Sequence, residues 1–176
     1  MTYINDSILR IKDDLIDKRK KQNQASGYQS TLNAYHMCAL LDYNGNPLIY
    51  GTNIFNIKLP TTEHAEAQAL RKLLEKYCNE NPKKKIKVDM LVIRTNGGNS
   101  KPCDRCIRMM ESVSGRIQIR NVYYSHRDEI FGLRCVRFNK FVNEPDRHIS
   151  SYDRNLRRHT SQNILQDKTN ISVSCC

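Results

Sequence analysis

Pro102-Cys103-Asp104-Arg105-Cys106 sets two thiols one helical turn apart behind a proline, and well upstream of it stands His64-Ala65-Glu66. Together the two stretches offer one imidazole, one carboxylate and two thiolates. His64, Cys103 and Cys106 suit a zinc ion, and three protein ligands leave its fourth tetrahedral position open, as in catalytic rather than structural zinc sites. Glu66 follows the histidine within the same turn, where a carboxylate can take a proton from water and pass it on. Either half alone says little, because C-x-x-C also occurs in redox pairs and zinc knuckles. The weight lies in both occurring in this order, each at the start of a predicted helix, with a strand between them.

Outward from the motif, Val88 to Arg94 reads as a buried central strand, broken by Asn96-Gly97-Gly98-Asn99. Pro102 fits the first position of a helix running to about Val113. Ala67, Leu70, Leu73, Leu74 and Tyr77 supply the buried face of a helix from about Glu63 to Tyr77, with Thr61 or Thr62 as its cap. Both halves of the site thus fall past a strand in the first turn of a helix, where backbone N–H groups favour anions and draw thiol pKa values down. Tyr35 to Asp42 and Leu48 to Asn53 form two strands around the hairpin turn Asn44-Gly45-Asn46-Pro47. Ile117 to Ser125 is a further strand. Only His126 to Glu129 separate it from the apolar run Ile130 to Phe138, and a parallel crossover needs a dozen residues or more, so this pair is expected to be antiparallel.

At the amino end, Ile4, Ile8, Ile11 and Leu15 recur on one helical face to about Asn23, capped by Asn5, Asp6 or Ser7. Gln24 to Leu32 reads as a loop. The 176 residues fit one α/β core, with residues 1–34 as helix and polar linker, 35–142 as the zinc-bearing domain and 143–176 as a basic polar tail. No signal peptide and no apolar run of membrane-spanning length is visible, so no membrane association and a cytoplasmic location are expected. In that compartment the seven cysteines are read as thiols, with Cys38, Cys78 and Cys135 in apolar patterns and Cys175-Cys176 as part of the tail. A net charge of +11 attracts polyanions, although the runs Lys18-Arg19-Lys20-Lys21 and Lys83-Lys84-Lys85 read more simply as solvated faces.

H-x-E followed by P-C-x-x-C resembles the zinc-dependent nucleobase deaminases, the superfamily of cytidine, deoxycytidylate and tRNA adenosine deaminases. The resemblance covers about Tyr35 to Ser125. It implies a three-layer α/β/α sandwich with a five-stranded mixed sheet, here closing on an antiparallel last hairpin. It implies Zn2+ held by His64, Cys103 and Cys106, with Glu66 as proton shuttle in hydrolytic deamination of a cytosine nucleoside or nucleotide. Gly51-Thr52-Asn53 is similar to a Gly-x-Asn whose asparagine contacts base or sugar in related deaminases, and Asn53 joins Ala65, Lys101 and Pro102 as expected substrate contacts. Homo-oligomers are common among such relatives, and one is expected here. Free-nucleoside cytidine deaminases generally carry cysteine where this chain has His64 but share the antiparallel last hairpin. Nucleotide and tRNA deaminases typically share the histidine and place a helix before a parallel last strand. This chain combines the two patterns.

Three functional readings follow. The first is a deaminase of a small cytosine nucleoside or nucleotide, with Lys101 and Arg105 beside Cys103 available to a phosphate. The second places the base in RNA or single-stranded DNA, tracked by the excess charge and the run from Arg154 to Arg158, although aromatics are only 7% and none interleave with basic residues near the motifs. The third is a non-catalytic deaminase-like binding module, which would have no need of Glu66. Tyr123-Tyr124 reads as strand core rather than as a stacking surface.

Overall fold

The computed structural model describes residues 6–25, 36–55, 62–78, 85–145, 147–149 and 154. Its elements in chain order are α1 (Asp6–Ala25), β1 (His36–Leu41), β2 (Pro47–Thr52), β3 (Ile54–Phe55), β4 (Thr62–Glu63), α2 (Ala65–Cys78), β5 (Ile86–Arg94), α3 (Asp104–Ser112), β6 (Ile117–Ser125), β7 (Leu133–Arg137) and α4 (Phe138–Phe141). The main sheet runs β2-β1-β5-β6-β7. β1 is antiparallel to both neighbours, β5 and β6 are parallel through the α3 crossover, and β6 and β7 form the expected antiparallel hairpin.

Side chains alternate across the sheet, and that alternation builds two cores. Cys38, Leu40, Val88, Met90, Val92, Val122 and Tyr124 face one way and bury against Leu70 and Leu73 of α2, Ile107 and Met110 of α3, and Phe141 of α4. Met37, Ala39, Leu41, Leu91, Ile93 and Tyr123 face the other way, onto Ile8, Ile11 and Leu15 of α1. The result is a three-layer α/β/α sandwich with a five-stranded mixed sheet. Leu15 is fully buried, so truncating it to alanine would cost about 2–5 kcal/mol.

The turn between β1 and β2 is closed by Asp42, whose Oδ1 accepts the N–H groups of Asn44 and Asn46 at 2.8 Å each. Gly45 there takes φ +83°, a conformation glycine reaches without strain. Two expected boundaries move. Thr62 lies in β4 opposite Phe55, so it does not cap α2. Pro102 precedes the N-cap residue Cys103, and α3 begins at Asp104.

Past Val142 the described residues remain tied to α3. The Asp104 N–H donates to the His148 carbonyl at 2.7 Å, and Arg147 reaches Asp104 Oδ1 at 3.2 Å and the Val142 carbonyl at 2.6 Å. No helix among the described residues is long and apolar enough to cross a membrane.

Candidate metal centre and its cavity

Each half of the motif is set at a helix start by interactions that can be named. His64 occupies the N-cap position of α2, its carbonyl accepting the Gln68 N–H at 3.0 Å. Its own side chain points elsewhere, so the cap is supplied from outside the helix: Asn53 Oδ1 accepts the Ala65 N–H at 2.9 Å. Buried Gln68 adds a second tie, its Oε1 accepting the Thr52 N–H at 2.9 Å. This close seat depends on Gly51. A Cβ there would lie 2.1 Å from the Ala65 carbonyl oxygen and 2.8 Å from the Ala69 nitrogen, so any side chain would lift the start of α2 off β2.

The second half hangs from the loop after β5, which two serines pin. Ser125 Oγ accepts the Arg94 N–H at 3.1 Å and donates to the Gly98 carbonyl at 2.6 Å. Ser100 Oγ donates to the Val92 carbonyl and accepts the Ser125 N–H, both at 2.8 Å. The loop is thereby bound to the ends of β5 and β6, and Cys103 and Cys106 are delivered to the mouth of the parallel pair.

There the expected ligands converge. His64 Nδ1 lies 3.2 Å from Cys106 Sγ and 3.4 Å from Cys103 Sγ, and the three donor atoms all lie within 4.8 Å of one another. Zinc bonds of about 2.0 Å to nitrogen and about 2.3 Å to sulfur make a tetrahedral nitrogen-to-sulfur edge of about 3.5 Å. The separations found match that edge. A hydrogen bond from Cys106, joined by the His64 ring, draws the Cys103 thiol down to about 4 against the opposing effect of burial. The same contact with Cys103, reinforced by burial, pushes Cys106 up. The trio therefore holds a thiolate and a thiol whose proton a divalent cation would displace, a donor set that fits zinc.

Glu66, in the first turn of α2, is 2% exposed, and its Oε2 has no hydrogen-bond partner. Burial raises its pKa. It faces a cavity of about 730 Å³ that is also lined by Asn53, His64, Lys101 and Cys103. Ala65 and Pro102 are buried and are not among the lining side chains. Lys101 lines the cavity while paired with Glu144 at 2.6 Å, and Arg105 stays exposed outside it.

Several lining residues were not expected at the site from sequence: His36, Arg94, His126, Arg134 and His148, together with Tyr124, which was weighed as a stacking surface and read as core. The signal for the first pair was the sheet register, since His36 opens β1 directly opposite Arg94, the last residue of β5. Tyr124 is core, as its strand position implied, yet it also forms a wall of the cavity, edge-on to His126 with ring centroids 6.3 Å apart. Burial and the neighbouring Arg94 hold His36 down to about 4, so its ring is neutral at physiological pH.

An α/β/α sandwich with three converging metal-ligating side chains at a strand-to-helix edge, and a buried acid beside them, defines the class of proteins that can hold a metal ion by three side chains. The sequence model of the cytidine and deoxycytidylate deaminase zinc-binding region matches residues 16–125, and the chain belongs to that family. Zinc is accordingly the metal of this centre. Among solved structures, the cytidine deaminase from Burkholderia pseudomallei is similar at 19% identity and a TM-score of 0.47, over 68% of this chain and 86% of that one. The cytidine deaminase from Mycobacterium leprae is similar at 17% identity and a TM-score of 0.44, over 74% and 97%. No curated protein matches the chain in sequence.

Proposed function

We propose that this protein catalyses hydrolytic deamination of a cytosine nucleoside or nucleotide, releasing ammonia. The observation that carries the reading is the buried, unpartnered Oε2 of Glu66 beside the His64, Cys103 and Cys106 trio. A buried carboxyl oxygen without a partner costs stability, which supports a task for it in the reaction. When bound, zinc supplies the Lewis acidity that makes water a nucleophile near neutral pH. Glu66 would move two protons in turn, the first from the attacking water to the ring nitrogen and the second from the newly formed hydroxyl to the amine, which leaves as ammonia while the ring carbon keeps the oxygen. His64 Nδ1 and the two sulfurs would hold the metal, and the buried floor formed by Glu66, Cys103 and Tyr124 limits access of bulk water there.

Asn53 is assigned to the substrate as well as to the α2 cap, because its amide group has donors left over after Oδ1 is committed to Ala65. Lys101 stands on the cavity wall, anchored by Glu144. A cytoplasmic setting is part of the same reading, in which Cys103 and Cys106 serve the metal and Cys38 is a core residue.

The test pairs metal analysis with ammonia release from cytidine, deoxycytidine, CMP and dCMP. The expected result is about one zinc per chain and turnover of at least one of the four. Zinc at that level with no turnover of any would overturn the cytosine assignment.

A further inference from the structure

Both sulfurs of the metal centre belong to the first turn of α3, and that turn lacks the usual cap. Cys103 holds the N-cap position without a side-chain cap hydrogen bond, its sulfur lying instead 3.4 Å from His64 Nδ1. Helix starts whose N–H groups go unmatched fray in their first turn. In α3 that turn separates Cys103 from Cys106, so fraying would spread the two sulfurs, and a metal would have to order them as it binds.

Part of what is missing comes from the segment after α4. The His148 carbonyl accepts the Asp104 N–H at 2.7 Å, one of the helix-start donors that have no partner within α3. Arg147 Nη1 lies 3.2 Å from Asp104 Oδ1 and 3.7 Å from Glu111 Oε2, so one guanidinium meets both ends of α3. Its Nη2 donates to the Val142 carbonyl at 2.6 Å. On the other side of Cys103, Glu144 holds Lys101 at 2.6 Å. The Lys101 ammonium also stands 5.8 Å from the centre of the Phe141 ring, which is fully buried beside Tyr124. The stretch that carries Cys103 is thus gripped on both flanks by groups rooted in the core.

We propose that Glu144, Arg147 and His148 form a strap that holds the metal-ligating turn closed, with Arg147 as its positioning residue. The affinity of the centre for zinc is then set in part by residues beyond the stretch 16–125 that matches the family. The same strap reaches the ligand space, because His148 lines the cavity. The inference needs the metal centre and not the cytosine assignment, so it is tested apart from the proposed reaction. Arginine suits the task, since its planar fork meets the Asp104 carboxylate and the Val142 carbonyl at once, whereas lysine offers a point charge. Arg108 supplies the contrast. It meets the other oxygen of Asp104 at 2.8 Å, but it is exposed and lies in α3 itself, so that pair binds the helix only to itself.

The test measures zinc affinity of the full chain by competition with a chelator, alongside urea unfolding. Arg147→Gln is expected to lower zinc affinity about tenfold to a hundredfold, the usual cost of removing a group that orients metal ligands. Arg147→Lys should recover only part of the loss. Arg108→Gln should leave affinity within about twofold, because exposed pairs one turn apart are worth little. Leu15→Ala, on the opposite face of the sheet, should lower stability while leaving zinc affinity within about twofold, which separates positioning from general loosening. Glu144→Gln breaks the Lys101 pair and should lower affinity by a smaller factor than Arg147→Gln, and it keeps the strap testable if Arg147→Gln does not fold. Affinity unchanged by both strap variants, or lowered as much by Arg108→Gln or Leu15→Ala, overturns the strap. Full recovery by Arg147→Lys assigns the effect to charge alone and overturns the positioning role of the fork.

Discussion

Two carboxylates are buried among the described residues, and they are treated in opposite ways. Asp89, 8% exposed, has both oxygens engaged: Oδ2 takes the Arg120 guanidinium at 2.8 Å, and Oδ1 takes the backbone and side-chain amides of Asn121 at 3.2 and 3.1 Å. It sits where the pairing of β5 with β6 is irregular, and it satisfies the groups that the irregularity leaves over. Glu66, at 2% exposed, is buried more deeply and keeps one oxygen without a partner. One acid is matched on both oxygens, whereas the other is buried with an oxygen left over, the arrangement that supports the proton-carrying role proposed for it.

The comparison breaks most visibly on exchange of the two acids for neutral residues. Glu66→Gln should lower turnover by about two to four orders of magnitude, the usual contribution of a positioned acid–base group, with zinc content and thermal midpoint unchanged or slightly raised. Asp89→Ala should do the reverse, costing about 3–5 kcal/mol by leaving half-buried Arg120 without its carboxylate and the Asn121 amides unmatched, with turnover per folded molecule preserved. Rates, metal analysis and urea unfolding on both variants decide it. A Glu66 variant that unfolds easily but remains active would invert the assignment.

A second, smaller effect tests whether the scaffold around the acid acts as rigidly as its hydrogen bonds imply. Ser125→Ala removes the hydroxyl that holds both Arg94 N–H and the Gly98 carbonyl, leaving buried groups unmatched. The expected loss is about 1–3 kcal/mol of stability, with zinc affinity lowered about tenfold because the loop carrying Cys103 is released. Competition with a chelator reads the second number, and unchanged affinity would mean that the loop holds its shape without this serine.

What could be read beforehand divides along the same line as the acids. The ligand trio, the individual strands and the antiparallel last hairpin were legible because they depend on local spacing: H-x-E, C-x-x-C, alternation, and a connection too short for a crossover. The three-layer sandwich and its five-stranded mixed sheet followed from the family resemblance instead. Residues whose role is set by contacts distant in sequence were not. Thr62 looked like the cap of α2 by proximity, but the cap comes from Asn53, and no local rule predicts a cap from across a loop. Pro102 looked like a first helical residue, yet Cys103 takes the N-cap position with an extended backbone, φ −79° and ψ 165°. Arg94 and His36 meet only through the register of β1 against β5, which periodicity does not fix.

The smallest effect concerns that pair. Burial and Arg94 hold the His36 ring at about 4, below its ordinary value of 6.5. Between those two values the unfolded chain binds a proton that the folded chain does not, so the contribution is fully present above pH 6.5 and is lost as pH falls toward 4. Its size is on the order of 1–3 kcal/mol. His36→Gln keeps an amide at the site but cannot titrate. The difference in unfolding free energy between the two chains should therefore slope with pH across this window and flatten above it. Parallel curves from pH 7 to pH 4 would show that His36 titrates alike folded and unfolded, and that Arg94 does not press on it. The Arg94 guanidinium would then lie farther from the cavity wall than the β1–β5 register puts it.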